Sequence, residues 1–147
     1  METWPKVELN PQEGYDMCFG CGKANPIGLK LKFDWDEKTK TASAEFNPGD
    51  NLQGWPHYLH GGMTAFVMDE AMGWAAMFAG VHNVTAKMQV RFRRMVPVGQ
   101  RYLVRCRITK HDNRLIETEA SLTDLSGQVF AEATSTQFII KSRKVRE

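Results

Sequence analysis

The sequence predicts an α+β fold in which a curved antiparallel sheet wraps around one long central helix. The stretch from Gly61 to Ala79 is apolar apart from Thr64, Asp69 and Glu70, and it is too long for an ordinary strand. The segments on either side of it alternate polar and apolar residues with a period of two, as half-buried antiparallel strands do. Short turn signals join these segments, which favours hairpins over parallel crossovers.

Length and composition indicate a single globular domain over residues 1–147, with an irregular N-terminal segment at residues 1–27. The net charge of +2 does not by itself suggest a nucleic-acid partner. The first residues lack the order of charged and apolar residues found in a signal peptide, and three sparse cysteines argue against a disulfide framework. We therefore expect a cytoplasmic protein with reduced thiols and no contact with a membrane.

Two short strands precede the helix, and four longer ones follow it. Leu29–Trp35 and Thr41–Phe46 predict a hairpin, and the later strands are predicted at Thr85–Arg93, Tyr102–Ile108, Ile116–Leu122 and Val129–Ile140. In the first of these four, alternation places Thr85, Lys87, Gln89, Arg91 and Arg93 on one face and the apolar residues on the other. The apolar face would then pack on the helix.

The predicted central helix, residues 61–79, is apolar on every side and must be enclosed by protein or lipid. Asp69 and Glu70 near its midpoint make a membrane span unfavourable, so we expect protein to enclose it. A buried carboxylate is costly. Two explanations remain open: the pair emerges at a gap in the covering, or the fold retains it for chemistry.

Chemistry is also suggested where the helix begins. Gly61 and Gly62 leave the free amides of the first turn unobstructed, so a carbonyl oxygen that gains negative charge during acyl transfer would be stabilised there. A tight turn into the helix would need glycines just as much. Asp69 follows Gly61 by eight residues, which is about 12 Å along a helix. The two residues can therefore act on one bond only if they come from two different helices. A two-fold dimer would supply the second, antiparallel helix.

These motifs resemble those of hotdog-fold thioesterases of the phenylacetate-pathway (PaaI-like) group. The resemblance is carried by His60-Gly61-Gly62 with Asp69 behind it. Similar residues also occur in this superfamily at the positions of Gln53-Gly54, Thr85-Ala86, Arg94-Met95-Val96-Pro97, and the opening Cys18-Phe19-Gly20-Cys21-Gly22 with Asn25-Pro26-Ile27-Gly28-Leu29. The resemblance covers most of the chain and implies a hotdog fold.

The resemblance implies hydrolysis of an acyl- or aryl-coenzyme A (CoA) thioester, without metal or redox cofactor, by a homodimer or a dimer of dimers. Asp69 matches the catalytic carboxylate, acting as general base or nucleophile. Gly61 matches the amide that polarises the thioester carbonyl, and His60 helps to shape that site. Thr85 matches a hydroxyl residue that positions water or the carboxylate, and Gln53 matches an amide residue of related enzymes.

Substrate binding is expected from two further groups of residues. Gly62 lies at the helix start, next to the expected position of the thioester carbonyl. The interval from Ala71 to His111 has no acidic residue, and its arginines would suit the phosphates of CoA, with Arg91, Arg93 and Arg94 as the first candidates.

Other functions compete with hydrolysis. The domain could bind acyl-CoA without turnover, as a sensor module, or act as a hotdog hydratase, although the loop typical of hydratases is absent. Cys18, Cys21, His57 and His60 have the ligand count for zinc, but the spacing between the two pairs is much longer than in a compact zinc finger. No metal site is therefore predicted.

Overall fold

A computed structural model of the chain describes Gly14 and residues 16–140. The elements are, in order, β1 Asp34–Asp36, β2 Thr41–Phe46, a short 3-10 helix Asp50–Leu52, α1 Gly61–Phe78, β3 His82–Phe92, β4 Tyr102–His111, β5 Leu115–Asp124 and β6 Val129–Ile140. All six strands form one antiparallel sheet in the order β1-β2-β4-β5-β6-β3. The predicted α+β class and the hotdog arrangement of one long helix against one sheet are confirmed.

The helix packs on one face of this sheet. Val67, Met68, Ala71, Met72 and Ala75 are all fully buried, and small alanines let the strands approach closely. The helix ends at Phe78, with Ala79 as its C-cap and Gly80 in the left-handed conformation at φ +94°. Among the residues the structure describes, no helix is long and apolar enough to cross a membrane.

The first predicted strand, Leu29–Trp35, is wrong in its extent, since β1 spans only Asp34–Asp36. Lys30 has φ +52°, which breaks an extended strand, and the amides of Leu29 and Leu31 donate to the carbonyls of Phe19 and Gly20 instead of a strand partner. Leu31 is nevertheless buried in the core. The alternation therefore identified an inward-facing segment whose backbone pairs with the N-terminal loop. Of the predicted irregular segment, residues 16–27 contain no helix or strand, and residues 1–13 and 15 lie outside the described residues.

Thr85 does not lie on the face of β3 that the sequence predicted. A bulge interrupts the pairing of β3 with β6 between Thr85 and Lys87, so that Thr85 pairs with Gln137 and Lys87 with Thr136. One extra residue in a strand shifts the side-chain alternation by one position. Thr85 therefore faces the helix, while Lys87 is exposed on the opposite face together with the arginines that follow it in β3.

Candidate active site

The helix begins with a histidine cap. The extended backbone of His60 (φ −60°, ψ 132°) places its Nδ1 2.9 Å from the Gly62 amide, which donates a hydrogen bond to it. Because Nδ1 accepts this bond, the neutral imidazole carries its hydrogen on Nε2. The Gly62 amide, which was expected to face substrate, is therefore already engaged. Among the described residues, no acceptor is found for the Gly61 amide.

The backbone does not require glycine at position 61. Glycines 61 and 62 are both helical, and neither has the positive φ that would restrict the position to glycine. At Gly62 a side chain would crowd the His60 ring, because an added Cβ would lie 3.0 Å from Nδ1. At Gly61 an added Cβ would make only an ordinary 3.6 Å contact with the Phe92 ring. The tight-turn explanation for Gly61 is therefore excluded.

Gln53 lies in the loop before the helix. Its Oε1 accepts a hydrogen bond of 2.8 Å from the amide of His57, whose φ of +73° needs such local support. The amide of His60 donates to the Leu52 carbonyl at 2.9 Å, so this loop holds the histidine cap in place. Gln53 thus contacts the loop that positions His60 and is not bonded to Asp69.

The Asp69 carboxylate is held by a chain of polar side chains. Thr85 Oγ1 donates to Asp69 Oδ1 at 2.6 Å and accepts from Gln137 Nε2 at 2.9 Å. Gln137 Nε2 also donates to Asn83 Oδ1 at 2.9 Å, and Asn83 Nδ2 donates to the Gly73 carbonyl at 3.2 Å. Since the amide nitrogen can only donate, the single hydroxyl hydrogen of Thr85 is directed at Asp69.

Sequence reasoning missed Gln137 and Asn83. Gln137 is fully buried, and its Oε1 has no hydrogen-bond partner among the described residues. Buried polar side chains without full partners are uncommon and need an explanation. The missed signal was the alternation of β6, which places Ala131, Ala133, Ser135 and Gln137 on the inward face. A glutamine at such a position indicates a polar interaction on the inner face of the sheet.

Asp69 and Thr85 line a cavity of about 530 Å³ between the helix, the start of β3 and the N-terminal loop. Its other walls include Trp74, Met77 and Gly73, and an added Cβ at Gly73 would meet nothing within 4 Å. An open notch therefore lies beside Asp69, at Gly73. Its mostly apolar lining around a few polar groups is typical of small-molecule sites.

A second polar cluster lines the same cavity. Cys18, Cys21 and Glu70 have ligand atoms that all lie within 4.8 Å of one another, and Cys18 Sγ is 3.5 Å from Glu70 Oε1. The sequence suggested His57 and His60 as possible zinc ligands beside the two cysteines. Among the described residues, the ligand-type side chain that lies beside them is Glu70. His60 instead caps the helix.

Burial raises the pKa of two groups in this cluster, Cys21 and Glu70. It raises the pKa of the Cys21 thiol to about 12, and the Cys18 thiol and the Glu70 charge add to the rise. Burial also raises the pKa of Glu70, and the nearby Asp69 charge acts in the same direction, while hydrogen bonds from the two thiols oppose the rise. Cys21 is therefore a neutral thiol at neutral pH in the metal-free protein.

The candidate arginines are not in the Asp69 cavity. Arg91 and Arg93 line a separate groove of about 660 Å³ on the outer face of the sheet, and Arg93 forms an exposed ion pair with Glu132 at 2.8 Å. Arg94 follows the end of β3, two residues after Phe92, whose ring lies 3.6 Å from the position that a Cβ at Gly61 would occupy. Cys106, in β4, is fully buried and lines neither of these two cavities.

Sequence comparison finds relatives for much of the chain. Residues 57–131 match the family model of the thioesterase superfamily. The acyl-coenzyme A thioesterase THEM4 of Xenopus laevis is 28% identical over an alignment of 109 residues that covers 65% of this chain and 49% of that protein. The human acyl-coenzyme A thioesterase THEM5 is 32% identical over 78 residues, 53% of this chain and 32% of that protein. The matches thus span half or less of these relatives' length.

Solved structures share the fold at low sequence identity. The thioesterase superfamily protein RHA08564 superposes with a TM-score of 0.74 at 21% identity, covering 80% of this chain and 60% of that chain. The PaaI protein of the E. coli phenylacetic acid degradation operon gives 0.72 at 14% identity, covering 81% and 86%. The Streptococcus mutans protein smu.793, bound to acetyl CoA, gives 0.71 at 18% identity, covering 78% and 91%. With the family model matching residues 57–131 on this fold, the chain belongs to the thioesterase superfamily.

Proposed function

We propose that this protein hydrolyses an acyl- or aryl-CoA thioester to the free acid and CoA, with Asp69 as the catalytic carboxylate. The observation that carries the proposal is the Asp69–Thr85 hydrogen bond of 2.6 Å at the wall of a largely apolar cavity. The names of the matched relatives, which are acyl-CoA thioesterases, support this substrate class. A carboxylate fixed on one oxygen keeps the other available for reaction.

Two routes are open to the free oxygen of Asp69. As a general base it removes a proton from water, whose oxygen attacks the thioester carbonyl carbon; the C–S bond then breaks, and the CoA thiolate takes up the proton. As a nucleophile it attacks that carbon itself and expels the thiolate, and water then hydrolyses the resulting mixed anhydride. Both routes need the carboxylate to be held still, which the hydrogen bond from Thr85 achieves.

The carbonyl oxygen of the substrate is assigned to the start of a helix. The Gly61 amide lacks an acceptor among the described residues, and the His60 ring carries its hydrogen on Nε2, so both can donate to an oxyanion. Gly61 and Asp69 of one helix are about 12 Å apart, too far to act on one carbonyl. The amide must therefore come from a second protomer.

A second protomer has an obvious place to bind. β3 is an edge strand of 11 residues, and no strand formed by the described residues pairs with its outer side. Long unpaired edges are templates for another strand. Antiparallel pairing of two β3 strands about a two-fold axis would bring the two helices, which pack on the same face, side by side and antiparallel. We therefore propose a homodimer with two composite sites, which further pairing would extend to a dimer of dimers.

The proposal that the protein binds CoA is supported by the arginines and by the similarity of the fold to that of a CoA-binding protein. The acetyl-CoA complex of the structurally similar S. mutans protein supports a CoA ester as ligand. Arg94, which follows the strand end beside the helix start, is the best placed of the three candidates to meet a phosphate of a thioester bound there. Arg91 and Arg93 would have to contact CoA from the outer face.

The activity is tested by following free thiol release from acetyl-, hexanoyl-, palmitoyl-, benzoyl- and phenylacetyl-CoA. We expect turnover of at least one ester without added cofactor. Saturable binding of the esters without thiol release would instead favour the sensor function and contradict the proposal.

The composite site is tested by mixing two inactive variants, Asp69→Asn and Gly61→Pro. In a mixed dimer, one site combines the intact Asp69 of one chain with the intact Gly61 of the other. Random exchange of subunits should therefore restore about a quarter of the wild-type activity, because half of the dimers are mixed and each has one intact site. If each chain carried its whole site, mixing would restore nothing.

Filling the notch should change substrate preference. Gly73→Leu places a branched side chain in the space beside Asp69, where an added Cβ meets nothing within 4 Å. We expect kcat/KM for hexanoyl- and benzoyl-CoA to fall at least about tenfold relative to that for acetyl-CoA, since a filled pocket excludes the larger group. Gly73→Ala, the control, should be more stable than the wild type by about 0.5–1 kcal/mol because alanine favours the helix. Equal losses for all esters would place the acyl group elsewhere.

The amide of Gln137 should act through Thr85. Gln137→Leu removes the donor that orients the Thr85 hydroxyl, so kcat should fall about tenfold with little change in KM. In a Thr85→Val background the same change should have almost no further effect on kcat, because the hydroxyl it orients is gone. Thr85→Ser should retain most activity. Full additivity of the two losses would indicate that Gln137 only stabilises the fold.

A further inference from the structure

We propose that Cys18, Cys21 and Glu70 form a binding site for one zinc-class divalent cation. Thiolates select soft or borderline ions such as Zn²⁺, and a carboxylate is an accepted third ligand. This inference does not depend on the thioesterase proposal, because neither Asp69 nor Gly61 belongs to the ligand set.

The distances fit one tetrahedral ion. With Zn–S of about 2.3 Å and Zn–O of about 2.1 Å, two ligand atoms on a tetrahedral zinc lie about 3.6 Å apart. Cys18 Sγ and Glu70 Oε1 are 3.5 Å apart, and all three ligand atoms lie within 4.8 Å of one another. Cys18 and Glu70 thus already have the separation of two zinc ligands, and the Cys21 thiol would have to approach them by at most about 1 Å.

The loop that carries the two cysteines is shaped around Glu70. A methyl group added at Gly20 would overlap the Glu70 side chain, and one at Gly22 would overlap the Asp16 carbonyl. The Gly22 amide donates to the Cys18 carbonyl at 2.8 Å, which closes the loop between the two thiols. Both glycines of Cys-x-Gly-Cys-Gly are thus explained by a tight loop that faces one carboxylate.

Charge supports a cation at this position. Glu70 is half-buried and forms no ion pair with any of the residues described by the structure. Removing a carboxylate from water is costly without a compensating charge, and a bound cation would supply that charge. The three residues also line the Asp69 cavity, so a fourth ligand such as water can reach the ion from there.

The test uses the full chain, purified with reductant and stripped by a chelator. We expect titration with Zn²⁺ against a chromophoric chelator to give one ion per chain, and Co²⁺ to give a thiolate-to-metal charge-transfer band. Cys18→Ser, Cys21→Ser and Glu70→Gln should each lower the affinity at least about a hundredfold, since even partners of metal ligands are worth about 10–100-fold. Cys106→Ala and Asp34→Asn should bind as the wild type does, because neither residue lines this cavity.

Two results would overturn this assignment. One is absence of Zn²⁺ binding by a chain whose three thiols all react with a thiol reagent after unfolding. The other is binding that survives in the folded Cys18→Ser and Glu70→Gln variants, because the ion would then occupy another site. Circular dichroism of each variant checks that the fold is kept, so loss of binding is not confused with unfolding.

Discussion

Asp69→Asn is expected to lower thioester turnover at least about a hundredfold while leaving the fold intact. The amide has nearly the shape of the carboxylate and can still accept the hydrogen bond from Thr85 Oγ1. It cannot take a proton from water, and it is a poor nucleophile. The loss should therefore fall on kcat, measured by thiol release at saturating substrate, with KM changed far less.

The matched control for this variant is Asp34→Asn. Asp34 is an exposed carboxylate on β1 and does not line the cavity, so the same chemical change there should leave turnover as it is. Near-native activity of the Asp69 variant would remove this carboxylate from the mechanism. The apolar cavity would then have to be assigned to binding alone.

Gly61→Pro is expected to lower kcat by about a hundredfold to a thousandfold, the usual effect of removing one oxyanion donor. Position 61 is the first residue of the helix, where proline is well tolerated because its missing N–H has no partner within the helix. The residue before it, His60, has the extended backbone that proline requires of its predecessor. The substitution thus deletes one hydrogen-bond donor without breaking the helix.

Gly61→Ala separates the effect of the amide from that of bulk. Alanine keeps the N–H and adds a methyl group that would make an ordinary contact of 3.6 Å with Phe92. Its kcat should therefore lie between those of the wild type and the proline variant. Thermal unfolding of both variants should match the wild type within a few degrees. A proline variant that folds normally and retains full kcat would refute the role of this amide.

Sequence patterns predicted the elements whose residues carry a strong local signal. The long apolar helix was predicted because no strand is that long, and the later strands because their burial alternates. The beginning of Leu29–Trp35 was mispredicted because its buried side chains look like those of a strand, although its amides pair with the N-terminal loop. Alternation reports burial and not the hydrogen-bond partner of the backbone.

The candidate site was predictable only in part. Asp69 is conspicuous as a charge within an apolar run, and its spacing from Gly61 predicts a second helix if both groups act on one bond. Gln137 lies far from Asp69 in the chain, and only the pairing of β3 with β6 brings it to Thr85. The partnership of the two cysteines with Glu70 likewise depends on how a loop folds back on the helix. Long-range contacts of this kind leave no periodic pattern.

The single additional residue in β3 determines what the rest of that strand can do. After the bulge at Ala86, Lys87, Gln89 and Arg91 are exposed on the outer face of the sheet, whereas before it Thr85 faces the helix. If β3 were a regular strand through Ala86, Thr85 would lie on the same face as Lys87 and its hydroxyl would point away from Asp69. The bulge thus lets one strand present polar side chains on its outer face and the Thr85 hydroxyl to Asp69.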